Sequence, residues 1–162
     1  MSMIFGEKIS VAIFCPREDI ETKVKVLFKG KDEFAVDYFS DEQQFKENFF
    51  KNNYNICFLG AGGVGEDKDL SQKQLELPRE LRAHKSGTYI ILLTDSTVLT
   101  KLMTIFRIGI NGMVAFSGKQ GDYKRELDRA VDHLHTWKNL FEQMLVDKAA
   151  EKEFEELFND SE

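Results

Sequence analysis

Three glycines follow an apolar run in the middle of the chain and spell the pattern GxGxxG. The run ICFLG ends at Gly60, and Gly62 and Gly65 complete the pattern. In a dinucleotide-binding unit, such glycines let the backbone approach a pyrophosphate at a helix N-terminus. Here the pattern follows the third predicted strand rather than the first, and the acidic segment Glu66–Asp69 continues it. Because these charges repel phosphate, a structural loop is favoured, and a nucleotide- or phosphate-binding sensor or enzyme that uses Gly60–Gly65 is the alternative.

The other residue types that carry chemistry form no recognisable constellation. Cys15 and Cys57 lie in or beside apolar runs without a CxxC pair, which predicts buried reduced thiols. His133 and His135 are two positions apart on a predicted helix and point to different faces, while His84 stands alone. No serine or cysteine lies in a nucleophile motif. We therefore expect no catalytic residue, no metal site and no cofactor.

Length and charge restrict the possible classes of protein. The 162 residues are 42% hydrophobic, which suits one compact domain, with or without one appended element. No apolar run reaches the roughly 20 residues of a membrane helix, and the N-terminus lacks a secretory signal, so a cytoplasmic protein without a membrane partner is expected. The net charge is −6, of which −5 falls in the segment 147–162. With no basic stripe and no arginine cluster, nucleic acid is a disfavoured partner.

Apolar runs rich in β-branched and aromatic residues alternate with helical patterns along most of the chain. The runs predict five strands, at Lys8–Phe14, Phe34–Phe39, Ile56–Leu59, Thr88–Thr94 and Met113–Phe116. Between them, the first helix is predicted from the stripe Ile20, Val24, Leu27 and Phe28, and the second from Phe45 and Phe49 after a capping box at Ser40–Gln43. The third is predicted around Leu75–Ala83, with Pro78 near the helix start. The fourth is predicted from the stripe Val98, Leu99, Leu102 and Phe106, and it ends at Gly109. This alternation predicts an α/β fold with a parallel sheet covered on both faces, and ligand sites at the carboxyl ends of its strands.

The C-terminal part of the sequence predicts a single long helix. From Asp122, a plausible N-cap, no Pro or Gly interrupts the pattern, and a helix to Phe158 would span about 55 Å. A small sheet does not cover such a length. An apolar stripe continues past the expected domain edge, at Trp137, Phe141, Met144 and Leu145. Its residue types favour an interface, with a longer intramolecular core as the alternative, and the break in pattern at Asp147–Glu153 predicts fraying.

Two segments resemble the receiver domain of two-component response regulators. Gly109–Val114, GINGMV, is similar to the turn into the last strand of that family, and Tyr54–Gly60, YNICFLG, is similar to the segment that ends in its phosphoacceptor aspartate. The resemblance covers residues 8–136. It implies a flavodoxin-like five-stranded parallel sheet of order 2-1-3-4-5 with helices on both faces, followed by a C-terminal helical extension with an acidic tail at 137–162.

The resemblance also tests the chemistry of the family position by position. Cys15 and Pro16 stand where acidic side chains would hold Mg²⁺, and Gly60 replaces the phosphoacceptor carboxylate. Phe116 matches the lysine of the fifth strand, while Thr94 keeps the hydroxyl of the fourth, although a helix cap is the favoured role for this threonine. These positions predict a vestigial phosphorylation pocket, and hence a pseudo-receiver without the aspartyl-phosphate switch.

A receiver that cannot be phosphorylated is expected to act by contact. The favoured hypothesis is a non-catalytic signalling adaptor that binds a protein partner or forms a homodimer. Resemblance to the family implies a partner face in the region of Lys101, Arg107, Met113 and Phe116, where Met113 replaces the switch aromatic. The C-terminal helix supplies a second contact surface. A fragment of a larger regulator, with this helix as its linker, is a further alternative.

Overall fold

Five strands alternate with five helices in the part of the chain that the structure describes. The structure is a computed structural model, and it describes residues 8–61, 72–85, 87–95 and 99–160. The elements in chain order are β1 (Ile9–Phe14), α1 (Glu18–Phe28), β2 (Phe34–Phe39), α2 (Glu42–Lys51), β3 (Ile56–Gly60), α3 (Gln72–His84), β4 (Tyr89–Leu93), α4 (Leu99–Ile108), β5 (Gly112–Val114) and α5 (Gln120–Asp160). Each predicted strand is present, with bounds shifted by two residues at most.

The strands form one parallel sheet in the order β2-β1-β3-β4-β5. Strand β1 lies between β2 and β3, with Val11 opposite Val36 on one side and Ile56 on the other. This is the flavodoxin-like order that the resemblance implied. In a parallel sheet of this order all carboxyl ends share one edge, so the residues after β1, β3, β4 and β5 come together there.

The core forms as the apolar patterns predict. All residues of β3 and β4 are buried, as expected for strands covered on both faces. Helix α2 is capped by Asp41, one residue after the first position of the predicted capping box, and the Asp41 carboxylate accepts a hydrogen bond from the Gln44 N–H at 3.0 Å. Its Phe45 and Phe49 are fully buried, and Phe45 stacks on Phe14 of β1 with ring centroids 5.1 Å apart. The predicted apolar stripe of α1 is buried as well.

Two helix predictions need correction. Helix α3 begins at Gln72 rather than near Leu75, so Pro78 lies inside it, where it has no N–H to donate to the preceding turn. On α4, Phe106 was expected in the core but is 80% exposed, and Ile105 occupies the inward position instead. The spacing of Phe106 fits an apolar stripe, but the side chain of Ile105 is the one that is buried. The side chains of Val98 and Leu99 lie outside the described residues.

Helix α5 is continuous from Gln120 to Asp160, including the segment predicted to fray. Asp122 lies in its first turn rather than at the cap, and its carboxylate accepts a hydrogen bond from the Lys119 N–H at 3.0 Å. Contacts divide the chain into a first unit, Met1–Ala130, and a second, Val131–Glu162, which in the described residues is helix alone. The domain boundary at 136/137 stays a prediction. No helix in the described part of the chain is both long and apolar enough to cross a membrane.

Candidate functional site at the carboxyl ends of the strands

The positions that match a phosphorylation pocket lie together at the carboxyl edge of the sheet. Gly60 ends β3, and Thr94 follows β4, where its N–H donates to the Val114 carbonyl at 3.0 Å. Cys15, Thr94 and Phe116 are at most 3% exposed, whereas Pro16 faces solvent. The interior of this edge is therefore lined by a thiol, a glycine backbone, a hydroxyl and a phenyl ring. The cap predicted for Thr94 involves residues 96–98, which lie outside the described residues, as do Gly62–Gly65.

Gly60 is packed tightly against the residues that end β1. A Cβ atom built on it would lie 3.2 Å from the Cys15 Sγ, 3.3 Å from the Cys15 Cα and 3.4 Å from the Phe14 carbonyl oxygen. Two of these three contacts are to backbone, which does not rotate away as a side chain does. A side chain at this position would therefore require Cys15 to shift by a few tenths of an ångström.

The thiols here are not arranged for reaction. Burial is the main cause that raises the pKa of Cys15, so the protonated form is favoured at neutral pH. Its Sγ lies 3.5 Å from the Arg17 carbonyl oxygen, to which it donates a weak hydrogen bond. Burial also raises the pKa of Cys57, which is fully enclosed. A protonated thiol is a poor nucleophile and a poor metal ligand.

A cation and an aromatic ring meet where a receiver carries acids and a lysine. The Arg17 guanidinium lies over the Phe116 ring, 4.9 Å from its centroid. The same guanidinium donates to the Asp19 carboxylate at 2.8 Å, and this bond is the main cause that lowers the pKa of Asp19. The Arg17 guanidinium thus contacts both a ring and a carboxylate at this edge of the sheet.

The segment after β5 is held by hydrogen bonds to its main chain. The Phe116 carbonyl accepts from the Lys23 Nζ and from the Tyr123 hydroxyl, each at 3.1 Å. Burial raises the pKa of Tyr123 to about 12, so its hydroxyl remains a donor at neutral pH. Sequence patterns did not single out Arg17, Lys23 or Tyr123, and the first two act through Phe116, which is far from them in the chain.

Asp95 is a carboxylate at this edge that is engaged by protein groups. Its Oδ1 accepts from the Ser117 N–H at 3.1 Å and from the Ser117 hydroxyl at 3.2 Å. Among the described residues, no cluster of three or more His, Cys, Asp or Glu side chains is placed to hold a metal ion.

The expected partner face on α4 and β5 is partly apolar. Met113 and Arg107 are exposed, and Lys101 is half-buried. Phe116 is buried and is not available to a partner, which corrects its placement on this face. Phe106, which the sequence assigned to the core, takes that place, and Met103 lies one turn before it on the same side of α4 and is 47% exposed.

The helix of the second unit exposes large apolar side chains. Trp137 is 58% exposed, and the predicted stripe residues Phe141, Met144 and Leu145 are exposed with it. These four side chains share one face at 100° per residue. Val146 and Leu157 are also exposed, and the same spacing places them on the opposite face. Exposed apolar surface on this scale is typical of interaction sites.

Comparison with known proteins identifies the fold. No family model and no curated protein matches the chain. Among solved structures, a CheY-like receiver domain from Methanospirillum hungatei superposes with a TM-score of 0.65 at 12% identity, covering 81% of this chain and 98% of that one. The beryllium fluoride-activated DrrB receiver domain superposes with a TM-score of 0.62 at 15% identity, covering 77% of this chain and 98% of that domain. A pilus assembly-related protein from Burkholderia pseudomallei superposes with a TM-score of 0.61 at 14% identity, covering 75% of this chain and 88% of that one. The first unit has the receiver fold, and at these identities the likeness extends no further than the fold.

Proposed function

We propose that this chain is a cytoplasmic, non-catalytic signalling adaptor with a degenerate receiver domain, which acts by protein–protein contact and independently of phosphorylation. The observation that carries the proposal is the glycine at position 60, at the carboxyl end of β3. It lacks the carboxylate nucleophile, and a Cβ there would be in tight contact with Cys15. The receiver fold itself favours a signalling role.

The electrostatics of the pocket support the same proposal. Aspartyl-phosphate chemistry in a receiver needs carboxylates for Mg²⁺ and a cation near the transferred phosphoryl group. By resemblance to the family, Cys15 and Pro16 stand at the metal-binding positions of this chain and Phe116 stands at the lysine position. Both replacements remove stabilisation from the phosphorylated state, and the carboxylate of Asp95 is already hydrogen-bonded to Ser117.

Contact through the exposed apolar side chains is the second part of the proposal. We place the homodimer contact on the helix of the second unit, at Trp137, Phe141, Met144 and Leu145, because aromatic and methionine side chains dominate interface cores. The α4–β5 face, with Phe106 and Met113, serves a protein partner of the signalling pathway.

Intact-mass spectrometry tests the first part. The chain is incubated with Mg²⁺ and acetyl phosphate beside an active receiver domain as positive control. We expect the positive control to gain one phosphoryl group and this chain to gain none. A phosphoprotein that maps to the first unit would refute the proposal.

Sedimentation velocity over a range of concentrations tests the second part. The double substitution of Trp137→Ala and Phe141→Ala is expected to weaken self-association, because it removes two interface anchors. Val26→Ala is the matched control, because Val26 is an exposed apolar residue on α1, 53% accessible, that lies in the first unit. A self-association constant that is the same for the wild type and the double variant would refute the placement of the dimer contact.

A further inference from the structure

A cleft between α3 and α4 is not explained by the proposed function. It has a volume of about 500 Å³, which lies within the range of small-molecule sites. Helix α3 contributes Arg79, Arg82 and Ala83 to its lining, and α4 contributes Thr104, Arg107 and Ile108. We call these six residues the arginine cleft. The sequence suggested no arginine cluster, and the packing of two helices creates one.

Arg82 is the fixed member of the arginine cleft. Its Nη2 donates to the Asn111 Oδ1 at 2.6 Å and its Nη1 to the Lys85 carbonyl at 3.2 Å. The Asn111 Oδ1 also accepts a hydrogen bond from the Ile90 N–H at 2.8 Å, so the guanidinium is linked through Asn111 to the start of β4. Asn111 and Lys85 precede β5 and β4, so this anchor lies at the amino edge of the sheet, opposite the pocket of Gly60.

The other two arginines extend toward solvent. Arg79 and Arg107 are exposed, and neither forms a hydrogen bond or an ion pair with any residue in the described ranges. Both guanidinium groups are therefore available to a ligand. Each offers a planar fork of N–H donors that matches phosphate oxygens.

The carboxylates of these two helices act on a cation of a third helix. Helix α4 contains no Asp or Glu. On α3, Glu80 is bonded to Lys46 of α2 at 3.0 Å, and Glu76 also acts electrostatically on Lys46. Positive charge is concentrated here although the whole chain has a net charge of −6.

We propose that the arginine cleft binds a small ligand that carries a diphosphate or polyphosphate group. Three guanidinium groups around one cavity suit a ligand with more than one negative charge, since each charge-assisted pair adds affinity and orientation. The Ala83 and Ile108 side chains provide an apolar wall against which a nucleoside could pack. The inference is independent of the adaptor function and concerns the opposite edge of the sheet.

Calorimetric titration of the full chain with inorganic pyrophosphate and with adenosine diphosphate, at low ionic strength, is the primary test. We expect saturable binding, with amide NMR shifts centred on Arg79, Ala83, Thr104 and Ile108. Tighter binding of the nucleotide would support a nucleotide ligand that uses the apolar wall. Equal affinities would support recognition of the phosphates alone.

Substitutions on the two exposed arginines locate the site. Arg79→Gln and Arg107→Gln should each weaken pyrophosphate binding about tenfold, through loss of charge-assisted hydrogen bonds. Arg107→Lys should recover only part of that loss, because a lysine keeps the charge but not the fork. Arg125→Gln on α5 is the matched control, since it removes the same charge from an exposed side chain outside the cleft, and it should change affinity less than twofold.

Four results would overturn the proposal. The first is no saturable binding of either ligand. The second is an equal loss of affinity in Arg125→Gln, which would indicate diffuse electrostatics. The third is a set of amide shifts confined to the segment that begins at Gly60. The fourth is binding of single-stranded DNA that pyrophosphate does not displace, which would indicate a nucleic-acid surface instead.

Discussion

Replacing Gly60 by alanine tests directly whether the strand-end pocket is closed. The new Cβ would lie 3.2 Å from the Cys15 Sγ and 3.3 Å from the Cys15 Cα. Overpacking a buried position costs about 1–3 kcal/mol. The lower backbone entropy of the unfolded alanine variant offsets about 0.4–1 kcal/mol of this. We therefore expect a net loss of about 1–2 kcal/mol in the free energy of unfolding.

Urea denaturation followed by circular dichroism measures this loss. With a slope of about 2 kcal/mol per molar, the midpoint should fall by about 0.5–1 M. Gly121→Ala is the matched control, because a Cβ at Gly121 meets no atom within 4 Å and the residue lies in the first turn of α5. That variant should be as stable as the wild type or more so.

A double-mutant cycle separates the two contacts of the new Cβ. In a Cys15→Ala background the Sγ contact is absent and the backbone contacts remain, so Gly60→Ala should cost about 0.5–1 kcal/mol less than in the wild type. A Gly60→Ala protein with wild-type stability in the Cys15 background would refute the reasoning. It would mean that β1 yields easily and that the position has room for a side chain.

Three further predictions concern the residues that hold the elements together. Tyr123→Phe should lower the free energy of unfolding by about 1 kcal/mol at neutral pH, because it removes the hydrogen bond to the Phe116 carbonyl. Because the folded pKa of Tyr123 is raised to about 12, its contribution is intact below pH of about 10 and declines as pH rises toward 12. The difference in unfolding free energy between the wild type and Tyr123→Phe, measured from urea midpoints at a series of pH values, should therefore shrink between pH of about 10 and 12. A difference that stays constant over that range would contradict this prediction. Arg17→Gln should lower the unfolding free energy by about 0.5–1 kcal/mol through loss of the cation–π contact, a loss that Phe116→Leu should largely remove in a double-mutant cycle. Asp41→Ala should lower it by about 1 kcal/mol through loss of the α2 cap, while Asp41→Asn should be close to neutral, and thermal unfolding compares the two.

Much of the fold was predictable because its signals are local. Strands β3 and β4 are apolar runs whose residues are all buried, and α2 begins at a cap three residues from its partner N–H. Helical spacing was less decisive. The predicted stripe on α4 included Phe106, but Ile105 is the buried residue, since the inward face of this helix depends on how α4 packs.

The sequence by itself determined that the phosphoacceptor position carries no side chain, because glycine at position 60 has none whatever its surroundings. It also determined the five-strand alternation and the long C-terminal helix. Only the tertiary structure decided that Cys15 packs tightly against Gly60, that the Arg17 guanidinium lies over the Phe116 ring, and that arginines of α3 and α4 line one cleft. Each of these joins elements far apart in the chain, and the physical reason is the same. A periodic pattern specifies which face of an element is buried, whereas the identity of the neighbour depends on how whole helices and strands pack together.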